Sequence, residues 1–235
     1  MQLIILAGGL GTRMHPLTED LPKALIPVAG KPFAFHQIEW LADHGVTDLV
    51  FCIGRHGDQM RAALGDGASW GVRVRYVDDG ARLLGTAGAL RHAIDAGVVA
   101  ERFAVQYGDS YLPVDLEAFF VAFETCGLPA MMAVYRNEAR SQMNNVDYAE
   151  GRVLLHDKRP QRPSAAHIDY GISAFRRDLV QTRVASGEVA DLSDLTRALS
   201  VEGLLAGYEV TEPFHEVGSP EGLAEMERFL EARRA

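Results

Sequence analysis

The sequence has few cysteines, no long apolar run and no excess of basic residues, and each of these absences argues against a class of protein. Its two cysteines, Cys52 and Cys126, lie far apart among 235 residues, which fits buried free thiols in a reducing compartment better than a disulfide framework or a zinc site. The formal net charge of −9 argues against a broad nucleic-acid footprint, which needs a basic stripe. No apolar run approaches the length of a membrane span, and the apolar N-terminus lacks the basic segment that opens a signal peptide. We therefore expect a cytoplasmic globular protein that binds neither nucleic acid nor a membrane.

Short apolar runs alternate with helical patterns along most of the chain. Between residues 146 and 156 the pattern changes to that of a hairpin around the Glu150-Gly151 turn. Strands that alternate with helices predict crossover connections, so we expect one α/β domain over residues 1–235, with a mostly parallel sheet, helices on both faces and a small antiparallel insertion. The periodicity predicts strands over residues 3–7, 47–53, 72–77, 103–107, 130–135 and 168–175, and helices from about residue 32, over 59–64, 86–96, 115–126 and 192–199, and from residue 219 onward.

A glycine-rich stretch follows the first predicted strand directly. Gly8, Gly9 and Gly11 let the backbone turn sharply and bring its N–H groups close to a ligand with no Cβ in the way. Successive exposed N–H groups form a concavity suited to phosphate. The stretch is not a dinucleotide fingerprint, because Met14 stands where another glycine is needed, and it is not a P-loop, because no Gly-Lys-Ser/Thr follows. A glycine turn shaped only by packing remains the alternative.

Two cations lie in the proline-rich loop that continues from this stretch to about residue 31. Arg13 suits bidentate contact with phosphate, and Lys23 acts as a point charge. The prolines fix φ, so the cations can be held in place with less entropy lost on ligand binding. Two cations and bare amides together, in an acidic protein, predict an anionic ligand.

A series of short motifs, each with particular residue types at a fixed spacing, extends from this loop towards the end of the chain. They are Leu6-Ala7-Gly8-Gly9-Leu10-Gly11-Thr12-Arg13, Pro16-Leu17-Thr18, Pro22-Lys23, Pro27-Val28-Ala29-Gly30-Lys31-Pro32, Gly85-Thr86-Ala87-Gly88-Ala89-Leu90, Gly108-Asp109, Lys158, Tyr170-Gly171 and Glu216-Val217-Gly218-Ser219-Pro220. Together they resemble the signature of the sugar-1-phosphate nucleotidylyltransferases (NDP-sugar pyrophosphorylases). The resemblance implies a Rossmann-like fold in which residues 1–135, approximately, bind nucleotide, while residues 136–235 bind sugar phosphate and supply the C-terminal helix. It also implies a Mg²⁺-dependent reaction of a nucleoside triphosphate with a sugar 1-phosphate, giving an NDP-sugar and pyrophosphate.

Two acidic residues are candidates for holding that Mg²⁺. Asp109 follows Gly108 at the carboxyl end of a predicted strand, where ligands of open α/β sheets bind, and a carboxylate there is a natural oxygen ligand for Mg²⁺. By similarity the second ligand is Glu216, which is one methylene longer than the aspartate usual in the family. The alternatives are that Asp109 is a turn or cap residue and that Glu216 is an acid near a helix with no metal role.

The resemblance assigns further residues to the two substrates. Arg13 and Lys23 would carry the catalytic charge. The structural alternatives are that Thr86 caps a helix, that Lys158 is a solvated lysine at the end of a hairpin and that Asn145 forms a turn. The residues assigned to the nucleotide are Leu6, Ala7, Gly8, Gly9, Gly11, Thr12, Arg13, Gly85, Thr86 and Gly108, and those assigned to the sugar phosphate are Asn145, Lys158, Tyr170 and Gly171.

Other functions stay open at this point. One is a cytidylyltransferase of the same fold that acts on a non-sugar phosphate such as phosphocholine, and another is a non-catalytic regulatory module that binds a nucleotide-sugar. A glycosyltransferase would want an Asp-x-Asp motif, whereas Asp109 is followed by Ser110 and Tyr111. The base and the sugar stay open between guanylyltransferases for mannose- or heptose-type phosphates and uridylyltransferases for amino sugars, and so does self-association into a homo-oligomer.

Overall fold

The computed structural model describes residues 1–9, 11–80, 82–137, 144–158 and 165–234. The chain divides into two compact units that are not successive halves of the sequence. The first unit comprises Met1–Leu83, Gln106–Tyr111 and Phe214–Ala235, and the second comprises Leu84–Val105 and Leu112–Pro213. Leu10, which belongs to the glycine-rich stretch, lies outside the described residues. The predicted division of labour between residues 1–135 and 136–235 stays a prediction.

Strands and helices are numbered here in chain order. The strands are β1 Gln2–Leu6, β2 Pro27–Val28, β3 Lys31–Pro32, β4 Asp48–Ile53, β5 Arg73–Asp78, β6 Arg102–Tyr107, β7 Ser110–Tyr111, β8 Ala130–Arg136, β9 Val146–Ala149, β10 Arg152–His156, β11 His167–Arg176, β12 Leu205–Val210 and β13 His215–Glu216. The helices are α1 Phe33–Asp43, α2 Gly57–Leu64, α3 Gly85–Asp95, α4 Leu116–Thr125, α5 Arg177–Arg183, α6 Leu192–Val201 and α7 Pro220–Arg234, and 3₁₀ helices cover Thr12–Met14, Lys23–Leu25 and Ala68–Trp70.

In the first unit, β1, β4 and β5 form a parallel sheet in the order β5-β4-β1. Strands β1 and β4 are continuous apolar runs, as expected for strands buried on both faces, and their residues Leu3, Ile4, Ile5, Leu49, Val50 and Phe51 are fully buried, whereas β5 at the edge alternates exposed and buried residues. Burying each such side chain stabilises the fold by about 1.5–3 kcal/mol. Because the strands are parallel, the loops that follow them all leave from one edge of this sheet.

The C-terminal helix α7 packs within the first unit. Met226 and Leu230 of α7 lie in a buried cluster with Phe33 of α1 and Tyr111 of β7. A two-stranded antiparallel ladder, β13 on β7, precedes the helix and pairs Glu216 with Ser110. The end of the chain therefore returns to the segment that follows β6.

In the second unit, the strands form a mixed sheet in the order β11-β8-β12-β10-β9. Strands β8 and β12 are parallel, whereas β11 on β8, β10 on β12 and β9 on β10 are antiparallel. The predicted hairpin is present as β9 and β10, and Glu150 and Gly151 at its turn both have positive φ. Helix α4 begins where predicted, with the Asp115 carboxylate accepting the Ala118 N–H at 2.9 Å.

The structure confirms the predicted mixed α/β fold, and most predicted elements agree with the observed bounds within two residues. Strand β12, helix α5 and the short strands β2, β3, β7 and β13 were not predicted. Both cysteines are free, as predicted, and Cys52 is buried, but the prediction of a buried thiol was wrong for Cys126, which is partly exposed. Among the described residues, no helix combines the length and the apolar character needed to cross a bilayer.

Candidate functional site

The glycine-rich stretch begins at the carboxyl end of β1, where three loops approach one another closely. The Ala7 N–H donates to the carbonyl of Cys52 at 2.9 Å. A Cβ on Gly54 would lie 2.9 Å from the carbonyl oxygen of Gly8, and a Cβ on Gly108 would lie 3.0 Å from the carbonyl oxygen of Leu6. Backbone packing therefore favours glycine at both positions, while the assignment of Gly108 to the nucleotide stays a prediction.

Gly9 differs from these glycines because it faces open space. A Cβ on Gly9 would meet no heavy atom within 4 Å among the described residues, and Gly9 is not among the glycines with positive φ. Packing therefore gives no reason for a glycine at this position. A ligand that approaches the backbone would give one.

Gly11 and Thr18 fix the turn that follows. Gly11 has φ 63°, in the left-handed region that favours glycine, and its carbonyl accepts the Thr18 hydroxyl at 2.8 Å. Gly11 precedes the 3₁₀ helix Thr12–Met14, which places Thr12 and Arg13 in its first turn. The Arg13 side chain is exposed and forms no ion pair with any residue that the structure describes.

Side chains from α2 and the loop before it hold the middle of the proline-rich loop. Arg55 Nη2 and His56 Nε2 each lie 3.0 Å from the carbonyl oxygen of Glu19, and Gln59 Nε2 donates to the carbonyl of Asp20 at 2.8 Å. These contacts tie the loop to the scaffold between Arg13 and Lys23. Both cations thus lie on a segment held at several points.

Lys23 forms an ion pair with Asp109. The Lys23 Nζ lies 2.6 Å from Asp109 Oδ2, and the two side chains are 14% and 26% exposed. Lys23 begins the 3₁₀ helix Lys23–Leu25, which is anchored by the buried side chains of Ala24 and Leu25. The predicted catalytic lysine and the predicted metal ligand, 86 residues apart in sequence, therefore lie side by side.

Glu216 lies close to the same pair. The Val217 N–H donates to the carbonyl of Asp109 at 2.9 Å, which joins the two acidic segments through their backbones. A Cβ built on Gly218 would lie 3.4 Å from both Glu216 Oε1 and Lys23 Nζ. We call Lys23, Asp109 and Glu216 the charged cluster.

The charged cluster provides two carboxylates for a cation. The described residues contain no group of three or more His, Cys, Asp or Glu side chains that could hold a metal ion. Mg²⁺ does not require such a group, because it keeps several waters and is usually held by one or two carboxylates together with substrate phosphates. An all-oxygen pair fits Mg²⁺ better than zinc or copper, which favour nitrogen and sulfur ligands.

In the second unit, the start of α3 packs against the segment that precedes α6. A Cβ on Gly85 would lie 2.5 Å from the carbonyl oxygen of Ala190, and one on Gly88 would lie 2.3 Å from that of Glu188. The Thr86 hydroxyl accepts the Leu192 N–H at 2.7 Å. Packing thus accounts for both glycines, and the Thr86 hydroxyl bonds to the first N–H of α6, whose N-cap is Asp191, rather than capping its own helix. The nucleobase role of Gly85 and Thr86 stays a prediction.

Lys158 lies at the end of β10, beside the residue that caps α6. Its Nζ is 3.6 Å from Asp191 Oδ1, and Asp191 accepts the Ser193 N–H at 2.8 Å. Burial raises the pKa of Asp191, but the hydrogen bonds from Ser193 and the charge of Lys158 outweigh burial and hold that pKa below its ordinary value. Lys158 is about half exposed, so it retains access to a ligand.

Asn145 and Gly171 both bond to Asp169, which follows the start of β11. The Asn145 Oδ1 accepts the Asp169 N–H at 2.9 Å, and Asp169 Oδ1 accepts the Gly171 N–H at 2.9 Å. Gly171 has φ 101° and lies where the pairing of β11 with β8 shifts register. A glycine is required there by the backbone conformation.

Tyr170 has a buried side chain. It is 1% exposed and packs against Tyr135, with the ring centroids 6.4 Å apart. Of the three consecutive residues Asp169, Tyr170 and Gly171, only Tyr170 is buried. The geometry supports a packing role for the Tyr170 ring, while its assignment to the sugar phosphate stays a prediction.

His156 was not singled out from the sequence, because no histidine has metal-ligand spacing. It is 1% exposed, its Nδ1 lies 2.7 Å from Thr196 Oγ1 and its Nε2 lies 4.0 Å from Asp169 Oδ2. Burial lowers the pKa of His156, and the negative charge of Asp169 opposes that effect without cancelling it. The only sequence signal was a histidine in an apolar strand, two residues before Lys158.

Comparison with known proteins shows one family. A family model described as "Nucleotidyl transferase" matches residues 2–233. The N-acetylmuramate alpha-1-phosphate uridylyltransferase of Neisseria meningitidis is 29% identical over 221 residues, which are 93% of this chain and 94% of the relative. A glucose-1-phosphate thymidylyltransferase of Streptomyces antibioticus is 30% identical over 179 residues, 74% of this chain and 49% of the relative. The mannose-1-phosphate guanylyltransferase of Mycobacterium tuberculosis is 26% identical over 222 residues, 93% of this chain and 61% of the relative.

Solved structures share the fold. A protein from Bacillus anthracis in complex with sucrose has a TM-score of 0.86 and 22% identity, covering 97% of this chain and 94% of that one. HddC from Yersinia pseudotuberculosis, complexed with GMP-PN, has a TM-score of 0.81 and 21% identity, covering 97% of this chain and 99% of that one.

Proposed function

The chain belongs to the nucleotidyl transferase family, and from that premise we propose that it transfers a nucleoside monophosphate from a nucleoside triphosphate to a sugar 1-phosphate in a Mg²⁺-dependent reaction. The observation that carries the proposal is the charged cluster: a cation and two carboxylates meet in the unit that also holds the glycine-rich stretch. The names of the three relatives all specify a sugar 1-phosphate acceptor but three different bases. They support the acceptor class and leave the base open.

The reaction is an in-line displacement at the α-phosphorus. A phosphate oxygen of the sugar 1-phosphate forms the new bond to phosphorus, and the bond to the pyrophosphate oxygen breaks. The nucleophile is already anionic, so the protein need not supply a strong general base. Catalysis then depends on positioning the two phosphates and on neutralising the charge between them.

The glycine-rich stretch would hold the triphosphate. Backbone N–H groups around Gly9 and Gly11 can approach phosphate oxygens closely, because no Cβ stands in the way at Gly9. Arg13 is exposed and forms no ion pair with the described residues, so its guanidinium is available for bidentate contact with phosphate.

The charged cluster would neutralise the reacting phosphates. Asp109 and Glu216 are the side chains that would hold Mg²⁺, which when bound offsets negative charge on the phosphate oxygens. Lys23 now pairs with Asp109 at 2.6 Å. Its ammonium would also offset negative charge on a phosphate oxygen. The ion pair holds the two groups, which are 14% and 26% exposed, next to each other.

Lys158 and Asn145 are our candidates for holding the sugar phosphate in the second unit. Lys158 supplies a half-exposed cation, and Asn145 is fixed by its bond to the backbone of Asp169. Gly171, and by resemblance Tyr170, complete the predicted set. Gly85 and Thr86 stay assigned to the nucleobase. The two free thiols, Cys52 and Cys126, fit an enzyme that works in a reducing compartment.

A substrate matrix tests the proposal. Each of the common nucleoside triphosphates would be paired with a panel of sugar 1-phosphates and with phosphocholine, and pyrophosphate release would be measured with and without EDTA. With one or a few sugar 1-phosphates as acceptors, we expect the triphosphate to release pyrophosphate in step with nucleotide-sugar formation, and EDTA to abolish this release. Release with phosphocholine alone would instead identify a cytidylyltransferase for a non-sugar phosphate. Tight binding of a nucleotide-sugar without turnover would identify a binding module.

A further inference from the structure

Two buried glutamines of the first unit converge on a single carbonyl group. Gln37 of α1 and Gln106 of β6 each donate from Nε2 to the carbonyl oxygen of Ser110 at 2.8 Å, and Gln37 Nε2 also lies 3.2 Å from the carbonyl oxygen of Tyr107. The two glutamines are 1% and 2% exposed. A carbonyl oxygen has two lone pairs, so these two amides saturate the Ser110 carbonyl.

Burying these two amides lowers the stability of the fold, which indicates that their N–H donors are needed. The Oε1 atoms of Gln37 and Gln106 are buried and have no hydrogen-bond partner among the described residues. Burying an unsatisfied polar atom disfavours folding. An apolar side chain of similar shape would avoid that cost but would leave the Ser110 carbonyl without a donor. Packing alone therefore does not account for amides at these two positions.

The two amides bind the ends of the turn that carries Asp109. Tyr107 ends β6 and Ser110 begins β7, so the turn consists of Gly108 and Asp109. The carbonyl of Asp109 accepts the Val217 N–H, which joins the same turn to the segment bearing Glu216. A shift of this turn would therefore change the positions of both carboxylates of the charged cluster.

We propose that Gln37 and Gln106 are positioning residues that hold the Asp109 turn and thereby set the spacing of Asp109 and Glu216 for a divalent cation. The proposal rests on the proposed function, in which those two carboxylates hold Mg²⁺. The glutamines would act through the backbone between Tyr107 and Ser110, so their loss should weaken cation binding more than binding of the sugar phosphate.

Methionine substitutions separate the effect of the hydrogen-bond donor from the effect of side-chain packing. Methionine is unbranched like glutamine and similar in length, but its side chain cannot donate a hydrogen bond. Gln37→Met, Gln106→Met and the double variant would be compared with Gln181→Met, in which an exposed glutamine of α5 is replaced. Should methionine prevent folding, Gln37→Asn and Gln106→Asn, which draw the amide back by one methylene, replace these variants with the same expected results.

Two measurements are needed, and the first does not depend on turnover. Binding of Mn²⁺ to the protein, with the triphosphate that the wild type uses best, would be followed by the relaxation enhancement of water protons. The second is the Mg²⁺ concentration needed for half-maximal pyrophosphate release. We expect each single variant to raise both metal constants roughly 10-fold, as loss of an outer-shell partner commonly does, with the KM for sugar 1-phosphate unchanged. The double variant should raise the two metal constants little further than a single variant, because both donors bond to the same carbonyl. Gln181→Met should match the wild type.

The outcomes distinguish this inference from the proposed function. Folded variants that bind Mn²⁺ as tightly as an active wild type would overturn the positioning role and leave the proposed function standing. A wild type that neither binds Mn²⁺ with any triphosphate nor releases pyrophosphate would overturn the proposed function, and the positioning role with it.

Discussion

Lys23 Nζ lies 2.6 Å from Asp109 Oδ2, so a cation from the proline-rich loop neutralises the carboxylate that we assign to the metal. We expect Lys23→Met to lower kcat by about 10²–10³-fold, the loss seen when one preorganised charge-stabilising donor is removed from an active site. The substitution keeps most of the apolar stem, so the thermal midpoint should change little. Steady-state pyrophosphate release at saturating substrates measures the effect.

Lys31→Met is the matched control for that experiment. Lys31 lies in the same loop and also pairs with a carboxylate, that of Glu39, but it is not part of the charged cluster. We expect Lys31→Met to keep near wild-type turnover. Full activity in Lys23→Met would show that Lys23 has no catalytic role.

Asp109 and Glu216 should differ from a purely structural pair in their dependence on Mg²⁺. We expect Asp109→Asn and Glu216→Gln each to raise the Mg²⁺ concentration for half-maximal rate by at least about 10-fold, because each removes a charged ligand while keeping its shape. Initial rates over a Mg²⁺ series at fixed triphosphate give this constant directly. An unchanged Mg²⁺ dependence in Glu216→Gln would assign Glu216 to the alternative, an acid near a helix with no metal role.

Local patterns in the sequence sufficed for most of the fold. Strand β1 and helix α4 were predictable because apolar runs, a stopping glycine and the Asp115 cap act over a few residues. Strand β12 was missed because Gly207 interrupts its apolar pattern. That glycine is explained only by a distant partner, since a Cβ there would lie 2.5 Å from the ring of Tyr148.

Contacts between distant segments account for what the sequence could not show about the site. Nothing local to Thr86 indicates that it bonds to the Leu192 N–H at the start of α6, 106 residues further on. The charged cluster joins three segments that only the family resemblance connected. Gln37 and Gln106 gave no signal at all, because a glutamine in an apolar helix or strand becomes informative only when its acceptor, the carbonyl of Ser110, is known.

Substitutions of two glycines near β1 should distinguish a glycine needed for the approach of a ligand from a glycine needed for packing. A methyl group on Gly9 meets no described heavy atom within 4 Å, so we expect Gly9→Ala to leave the thermal midpoint unchanged. It should raise the KM for triphosphate roughly 10- to 100-fold, since a lost hydrogen bond to a charged group costs about 1.5–3 kcal/mol. Thermal unfolding and substrate titration measure the two effects separately.

Gly54→Ala gives the opposite pattern and serves as the control. Its new Cβ would lie 2.9 Å from the carbonyl oxygen of Gly8, and overpacking of this kind costs about 1–3 kcal/mol of stability. The thermal midpoint should therefore fall. A Gly9→Ala protein with wild-type KM would remove the argument that the backbone at Gly9 touches the triphosphate.

The charges around His156 set up a pH dependence of stability. Burial lowers the pKa of His156 from its ordinary 6.5; Asp169, Asp157 and Asp191 oppose this effect and Lys158 adds to it. The histidine in the unfolded chain therefore binds a proton at a higher pH than the histidine in the folded protein. Stability contributed by the neutral imidazole is fully present above about pH 6.5 and is lost as the pH falls towards the folded pKa.

His156→Asn should therefore flatten the stability profile of the protein in mild acid. Asparagine lacks a titrating group, and its amide can keep the bond that His156 Nδ1 makes to Thr196. We expect the wild-type midpoint to fall between pH 7.5 and 5.5 by more than that of His156→Asn, whose midpoint is lower at pH 7.5 because a buried ring has been removed. Calorimetry at three pH values gives the slopes, with the exposed His92→Asn as the control that keeps the wild-type slope. Parallel slopes for the wild type and His156→Asn would show that protonation of His156 contributes nothing to the acid sensitivity of the fold.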